Sequence, residues 1–183
     1  MNFTKTNIEG LLVIEPAVFG DERGHFFESF RQDKFNEAVG KHINFVQDNQ
    51  SLSSKNIVRG LHFQKDPFAQ GKLVRVIKGA VIDVAVDLRK DSPTHGHHFS
   101  IELSEQNKKM FWIPEGFAHG FLVLSDTADF LYKTTNYYAP EHDRSVLWND
   151  KTIGIEWPIS DSLQPTLSDK DRNAVEFNQA DYF

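Results

Sequence analysis

The run Val58-Arg59-Gly60-Leu61-His62-Phe63-Gln64 sets a cation, a glycine and an imidazole inside one short apolar stretch. Imidazole titrates near physiological pH, so His62 has the chemistry to take up a proton and return it. A second histidine, His119, follows a turn in Pro114-Glu115-Gly116-Phe117-Ala118-His119 and opens an apolar run. A lone strand histidine is by default a hydrogen-bonded core ring, so the neighbours decide. In an unbroken strand Arg59 and His62 would face opposite sides, because side chains alternate. Gly60 can take backbone angles closed to other residues, and a bulge there would turn Arg59 and His62 into one pocket. Lys72, beside Gly71, and Tyr132 offer a cation and a phenol. Their default readings are a solvated strand end and a core ring with its hydroxyl at the rim.

The chain has no cysteine, which excludes disulfides, thiolate nucleophiles and sulfur-ligated metals. The P-x-G-x-x-H pattern ending at His119 resembles the second motif of the cupin superfamily, whose metal-binding members add an H-x-H pair and a glutamate. Here the residue two beyond His62 is Gln64, and no carboxylate follows at short distance. His97 and His98 are adjacent and point to opposite strand faces, while His95 and His97 flank Gly96 in a turn. The ligand set is incomplete, so neither a metal nor a cofactor is expected.

Strands must position these residues. Apolar and β-branched runs predict them over 11–14, 44–51, 57–64, 72–78, 80–88, 98–103, 110–113, 117–124 and 130–135, with turns at Gly79, Pro93-Thr94-His95-Gly96, Pro114-Glu115-Gly116 and Ser125-Asp126. Gly24 marks a turn within 19–30, beyond which Phe26, Glu28 and Phe30 would share one strand face. Phe35, Ala38 and Val39 lie at helical spacing over 32–39, and Gly40 stops that helix. From Asn149 the chain is loop-rich until Ser168, which caps a short helix with Asp171 at the capping-box position and Asp169 as an N-terminal acid. This succession, without alternating helices, predicts an all-β fold: a double-stranded antiparallel β-helix, that is, a cupin-like jelly-roll barrel with a few short helices. A single domain over 1–183 is expected, with 149–183 packed on the barrel.

Sixteen phenylalanines against four tyrosines and three tryptophans fit layered apolar packing. The net charge of -6, with no long Lys/Arg run, argues against a nucleic-acid surface, and any anionic ligand needs a local basic pocket. Residues 1–7 lack the apolar region of a signal peptide, and the most apolar stretch, 80–88, is interrupted by Asp83 and Asp87. A cytoplasmic protein without a membrane segment is expected.

Ordered matches along 10–173 go further. They are Phe19-Gly20-Asp21-Glu22-Arg23-Gly24 with Phe26 and Glu28, Gln47-Asp48-Asn49, the run from Val58 to Gln64, and Lys72-Leu73-Val74-Arg75-Val76. Asp83-Val84-Ala85-Val86-Asp87-Leu88-Arg89, Pro114-Glu115-Gly116-Phe117-Ala118-His119-Gly120-Phe121, Tyr132-Lys133 and Leu167-Ser168-Asp169-Lys170-Asp171 complete them. Through these pieces the chain resembles the dTDP-4-dehydrorhamnose 3,5-epimerase family, metal-free cupin-type enzymes of dTDP-L-rhamnose synthesis.

The resemblance implies inversion of C3 and C5 in dTDP-4-dehydro-6-deoxy-D-glucose, where the C4 carbonyl acidifies both hydrogens. It implies His62 as the base, Asp169 as the carboxylate that orients it, Lys72 as the stabiliser of charge on the C4 oxygen and Tyr132 as the acid on the opposite face. Arg23, Arg59, His119 and Lys170 are implied to hold the diphosphate and sugar, Phe19 and Tyr138 to sandwich the thymine, and Phe26, Glu28, Gln47 and Asn49 to contact the nucleoside or its surroundings. A homodimer is also implied, with part of 23–28 reaching the partner's site. Family members commonly carry Glu followed by Arg-Gly after the stretch ending at Glu141, whereas this chain has His142-Asp143-Arg144-Ser145. Asp143 is therefore the substrate-binding candidate at the point of departure. Two alternatives stay open. One is a relative that inverts only C3 or only C5 of a related dTDP-4-keto sugar; the other is a non-catalytic sugar-nucleotide binding domain, which would be expected to have lost His62, Lys72 or Tyr132.

Overall fold

In the run from Phe117 to Val123 every residue is buried, which requires a central strand covered on both faces. The computed structural model describes residues 1–160 and 163–183, and within them two antiparallel sheets meet these demands. The first strands are β1 (Asn2–Lys5), β2 (Leu12–Glu15), β3 (Val18–Asp21) and β4 (Gly24–Phe27), followed by helix α1 (Gln32–Val39). Then come β5 (Gln47–Ser54), β6 (Val58–Gln64), β7 (Lys72–Lys78), β8 (Ala80–Asp87) and β9 (His98–Ser104). The last are β10 (Met110–Ile113), β11 (Phe117–Val123), β12 (Thr127–Thr134) and β13 (Asp143–Ser145), before helix α2 (Asp169–Arg172). A six-stranded sheet runs in the order β1-β2-β10-β7-β12-β5, a five-stranded sheet in the order β13-β6-β11-β8-β9, and β3-β4 stands apart as a hairpin. The expected antiparallel, cupin-like jelly roll is the fold observed.

Strand alternation sorts side chains into three layers. Between the sheets lie Val13, Val74, Val76, Val81, Ala85, Phe117, Phe121, Ala128 and Phe130. Intervening residues face outward: Leu12, Leu73 and Trp112 pack under Phe35 of α1, whereas Leu61, Phe63, Val84, Val86 and Ala118 pack under Ile153, Phe177 and Phe183 of the C-terminal segment. Both faces of β11 are buried for that reason. Lys72, Asp83, His119 and Tyr132 share the parity of the inner layer, so each points between the sheets.

Several expectations shift in detail. Helix α1 forms as expected and ends at Gly40 in the left-handed region, φ 78°. Strand β12 starts at Thr127 because it pairs with β5 from Thr127↔Ser54 to Thr134↔Gln47, and the same ladder moves β5 to Gln47–Ser54. The polar strand β1 was not expected; it is an exposed edge held by β2 alone. The shared strand face of Phe26, Glu28 and Phe30 does not form, because β4 stops at Phe27. Phe30 turns instead against Phe35 and Phe45, with ring centroids 5.8 and 5.5 Å away.

Candidate active site

Arg59 and His62 both line a cavity of about 250 Å³ at one end of the interlayer space. They do so because the β6–β11 ladder slips: His62 pairs with His119 and Arg59 with Phe121, so Gly60 and Leu61 together oppose Gly120. Gly60 has φ 126°, and a Cβ there would stand 2.5 Å from Gly120 Cα and 2.8 Å from the His119 carbonyl oxygen. Only glycine fits. The expected bulge is present, and Leu61 uses it to point out of the barrel into the opposite layer.

His62 Nε2 donates to Asp171 Oδ1 at 2.5 Å. The carboxylate is itself fixed by the Ser168 hydroxyl, which donates to Oδ2 at 2.7 Å, and by the Gly60 N–H, 3.4 Å from Oδ1. Burial pulls His62 below its ordinary value against the opposing pull of Asp171, so the ring is neutral at rest and able to accept a proton. Burial pushes the Asp171 carboxyl up, but hydrogen bonds from His62, Ser168 and Gly60 bring it below the ordinary carboxylate value.

The expectation that Asp169 orients His62 is corrected. Its side chain is 93% exposed and pairs with Arg172 at 2.9 Å. Residues two apart on a helix point about 200° away from each other. With Asp171 facing β6, Asp169 must face solvent. Asp171 at the third helical position had been legible only as a cap, and it serves both purposes: Ser168 Oγ accepts from its N–H at 3.1 Å.

The opposite wall comes from the six-stranded sheet. Lys72, 8% exposed, donates to the His62 carbonyl at 3.3 Å. Burial lowers its ammonium to about 8, while Asp143 and Asp83 pull the other way. Tyr132 lines the same cavity from β12; burial raises its phenol, opposed by Arg59 and aided by Asp143, so the hydroxyl keeps its proton at neutral pH. Stacked Phe121 and Phe130, 4.3 Å between ring centroids, form the apolar floor. Arg59 Nε donates to Ser53 Oγ at 2.9 Å, a bond between the two sheets that aims the guanidinium. His119 Nε2 donates to both oxygens of buried Asp83, at 2.9 and 3.1 Å.

Of the remaining expected binding residues, Gln47, Asn49, Tyr138, Asp143 and Lys170 converge. Gln47 Nε2 donates to Asn49 Oδ1 at 2.8 Å, and Gln47 Oε1 accepts from the Tyr138 N–H at 3.2 Å. Tyr138 OH donates to Asp143 Oδ2 at 3.2 Å, and Lys170 donates to the same oxygen. Asp143, the residue at the departure from the family pattern, is thus the tie between the aromatic and the cation. Phe19, Arg23, Phe26 and Glu28 do not join them in this chain. They belong to the β3–β4 hairpin and the residue after it, where Phe19 and Phe26 are cross-strand partners, 66% and 70% exposed, and Arg23 is held by Asp21. Glu28 is 3.9 Å from Arg31. Sequence reasoning missed Ser53 and Asp83 as supports of the cavity. Inner-layer parity was the signal available for Asp83; nothing local marked Ser53.

A family model described as dTDP-4-dehydrorhamnose 3,5-epimerase matches residues 5–179. A dTDP-4-dehydrorhamnose 3,5-epimerase of Shigella flexneri is 58% identical over 183 residues, 100% of this chain and 99% of that protein. Among solved structures, the dTDP-4-dehydrorhamnose 3,5-epimerase of Elizabethkingia anophelis superposes with a TM-score of 0.95 at 48% identity, covering 100% of this chain and 99% of that one. The dTDP-6-deoxy-D-glucose-3,5-epimerase of Legionella pneumophila, in complex with dTDP-4-keto-L-rhamnose, superposes with a TM-score of 0.94 at 49% identity, covering 98% and 94%. With relatives identical at about half of all positions along nearly the whole length, and a cavity lined by His62 and Tyr132 from facing sheets, this chain belongs to the dTDP-4-dehydrorhamnose 3,5-epimerase family.

Proposed function

We propose that this chain inverts C3 and C5 of dTDP-4-dehydro-6-deoxy-D-glucose to give dTDP-4-dehydro-L-rhamnose. The observation that carries the reading is the placement of neutral His62 and protonated Tyr132 on opposing walls of one cavity, with the Lys72 ammonium beside them. Epimerisation next to a ketone needs a base on one face, an acid on the other and a cation at the oxygen where charge develops. The nitrogen His62 offers the substrate is Nδ1, since Nε2 is engaged by Asp171. Nδ1 takes the hydrogen from C5 or C3, the electron pair moves to the C4 oxygen beside Lys72, and Tyr132 returns a proton to the opposite face. Exchange with solvent resets His62 and Tyr132, and the same steps serve the second carbon. Asp171 stabilises the imidazolium formed in between.

Arg59, His119 and Lys170 supply the cationic pocket that an acidic protein needs for a diphosphate. Tyr138 gives one aromatic face for thymine. The exposed hairpin bearing Phe19, Arg23 and Phe26, with Glu28 just beyond it, completes the pocket of a second copy in a homodimer, which explains why these residues lie away from their own cavity. The protein works as a single-domain cytoplasmic enzyme without a cofactor; no helix of the described residues is long and apolar enough to cross a membrane.

The test is incubation with dTDP-4-keto-6-deoxy-glucose in heavy water, followed by NMR of the sugar ring. Deuterium at both C3 and C5 is expected. Deuterium at a single carbon identifies a mono-epimerase, and no exchange with retained nucleotide binding identifies a binding domain.

A further inference from the structure

Each cavity histidine has its own carboxylate, but only that of His62 has a part in the proton transfers. Asp83 is 0% exposed and makes its side-chain hydrogen bonds to His119. We infer that Asp83 is a positioning residue for diphosphate binding: it holds His119 by Nε2, so that Nδ1 is the ring nitrogen presented to the phosphate oxygens. This rests on the reading of the cavity as a dTDP-sugar site.

The ladder geometry supports it. On β8, Ala85 is the residue opposite His119, and Asp83 is its diagonal neighbour opposite Phe121. The Ala85 methyl leaves room above it, so the imidazole leans along the sheet toward Asp83. Phe130 fixes the ring plane from the other side, at 6.0 Å between centroids and 25° between planes. A flip that exchanged the ring nitrogens would break both bonds to Asp83. A hydrogen bond from Nδ1 to a phosphate oxygen, made while Nε2 donates to Asp83, is charge-assisted.

Stability alone does not account for the carboxylate. Asp83 shares its layer with Val76, Val81, Phe121 and Val123, and a buried ion pair in such a place adds no more to stability than apolar side chains would. Burial holds its carboxyl above the ordinary carboxylate value, against the opposing pull of His119 and Lys72.

Asp83→Asn keeps the shape and can still accept from Nε2, but it carries no charge. Binding of dTDP by calorimetry and steady-state kinetics should show Kd and KM raised about tenfold, with kcat within about threefold of wild type. In a His119→Asn background the same substitution should add less than about twofold, because both changes remove one interaction. Additive losses, or a fall in kcat at unchanged Kd, overturn the inference. If Asp83→Asn does not fold, nitrogen-15 NMR of the wild-type His119 ring gives the answer: dTDP must shift Nδ1, and an unmoved Nδ1 overturns the inference. A wild type that neither binds dTDP nor exchanges the sugar hydrogens overturns the functional reading and this inference together; normal binding with an indifferent Asp83→Asn overturns this inference alone.

Discussion

His62 and His119 are direct partners across the β6–β11 ladder, and each ring is hydrogen-bonded through Nε2 to a different aspartate. The two aspartates arrive by different routes: Asp83 from the neighbouring strand β8, Asp171 from a one-turn helix more than a hundred residues along the chain. Two chemically identical pairs, side by side, therefore have separable supports.

Asp171→Asn should lower kcat by about 10³- to 10⁴-fold, since a neutral amide leaves the imidazolium unsupported. Asp169→Asn should change kcat less than about twofold, as expected of an exposed side chain. Steady-state assays of the two variants decide between the residues; a severe loss in the Asp169 variant with an active Asp171 variant would reverse the assignment.

In the proposed mechanism turnover requires His62 neutral and Lys72 charged. Burial places His62 below its ordinary value and Lys72 at about 8. The profile of kcat/KM against pH should therefore rise through the His62 value and fall through about pH 8. In Lys72→Arg the guanidinium stays charged, and whatever activity remains should show no alkaline limb below about pH 10.

The same lysine opposes folding. Its folded value, about 8, lies below the free side chain's 10.5, so the unfolded chain holds the extra proton across that window and stability rises with pH through it. Below the window the buried charge costs about 3 kcal/mol. Lys72→Met should raise the melting temperature at pH 7 and abolish turnover, with the gain vanishing above about pH 10.5. Calorimetric scans at pH 7 and at high pH check the sign.

Gly60→Ala forces a methyl group against Gly120 and strains a positive φ. A loss of about 3 kcal/mol or more is expected, visible as a lower urea midpoint. If the variant folds by straightening the bulge, Arg59 leaves the cavity, and dTDP affinity should fall while the His62–Asp171 bond persists.

Sharing of sites between subunits can be tested by mixing inactive partners. His62→Ala and Arg23→Ala chains, unfolded together and refolded in equal amounts, should regain about a quarter of wild-type activity, since half the dimers are hybrid and each hybrid has one intact site. No recovery, with both variants folded and dimeric, would place Arg23 in its own subunit's site and overturn the sharing.

Much of this was legible from residue order. Gly40 and the spacing of Phe35, Ala38 and Val39 marked α1, and the family resemblance, where spacing alone left Lys72 a solvated strand end, put Lys72, His119 and Tyr132 in one site. Gly60 announced the slip that joins Arg59 to His62. Three features were not legible, each for a physical reason. Asp169 and Asp171 are interchangeable as letters until the rotation of a one-turn helix is known. Ser53 acts across two sheets whose facing register no local pattern encodes. Strand β1 is polar and takes its conformation from β2 alone.

Helix α2 has four residues, too few to persist by itself. It is held by the Ser168 cap, by Asp171 bonded to Gly60 and His62, and by single bridges from Ile57 to Thr166 and from Val146 to Val175. The same C-terminal segment lays Phe177 and Phe183 over Leu61, Phe63, Val84 and Val86, so one stretch of chain both orients the His62 ring and closes the outer face of the five-stranded sheet.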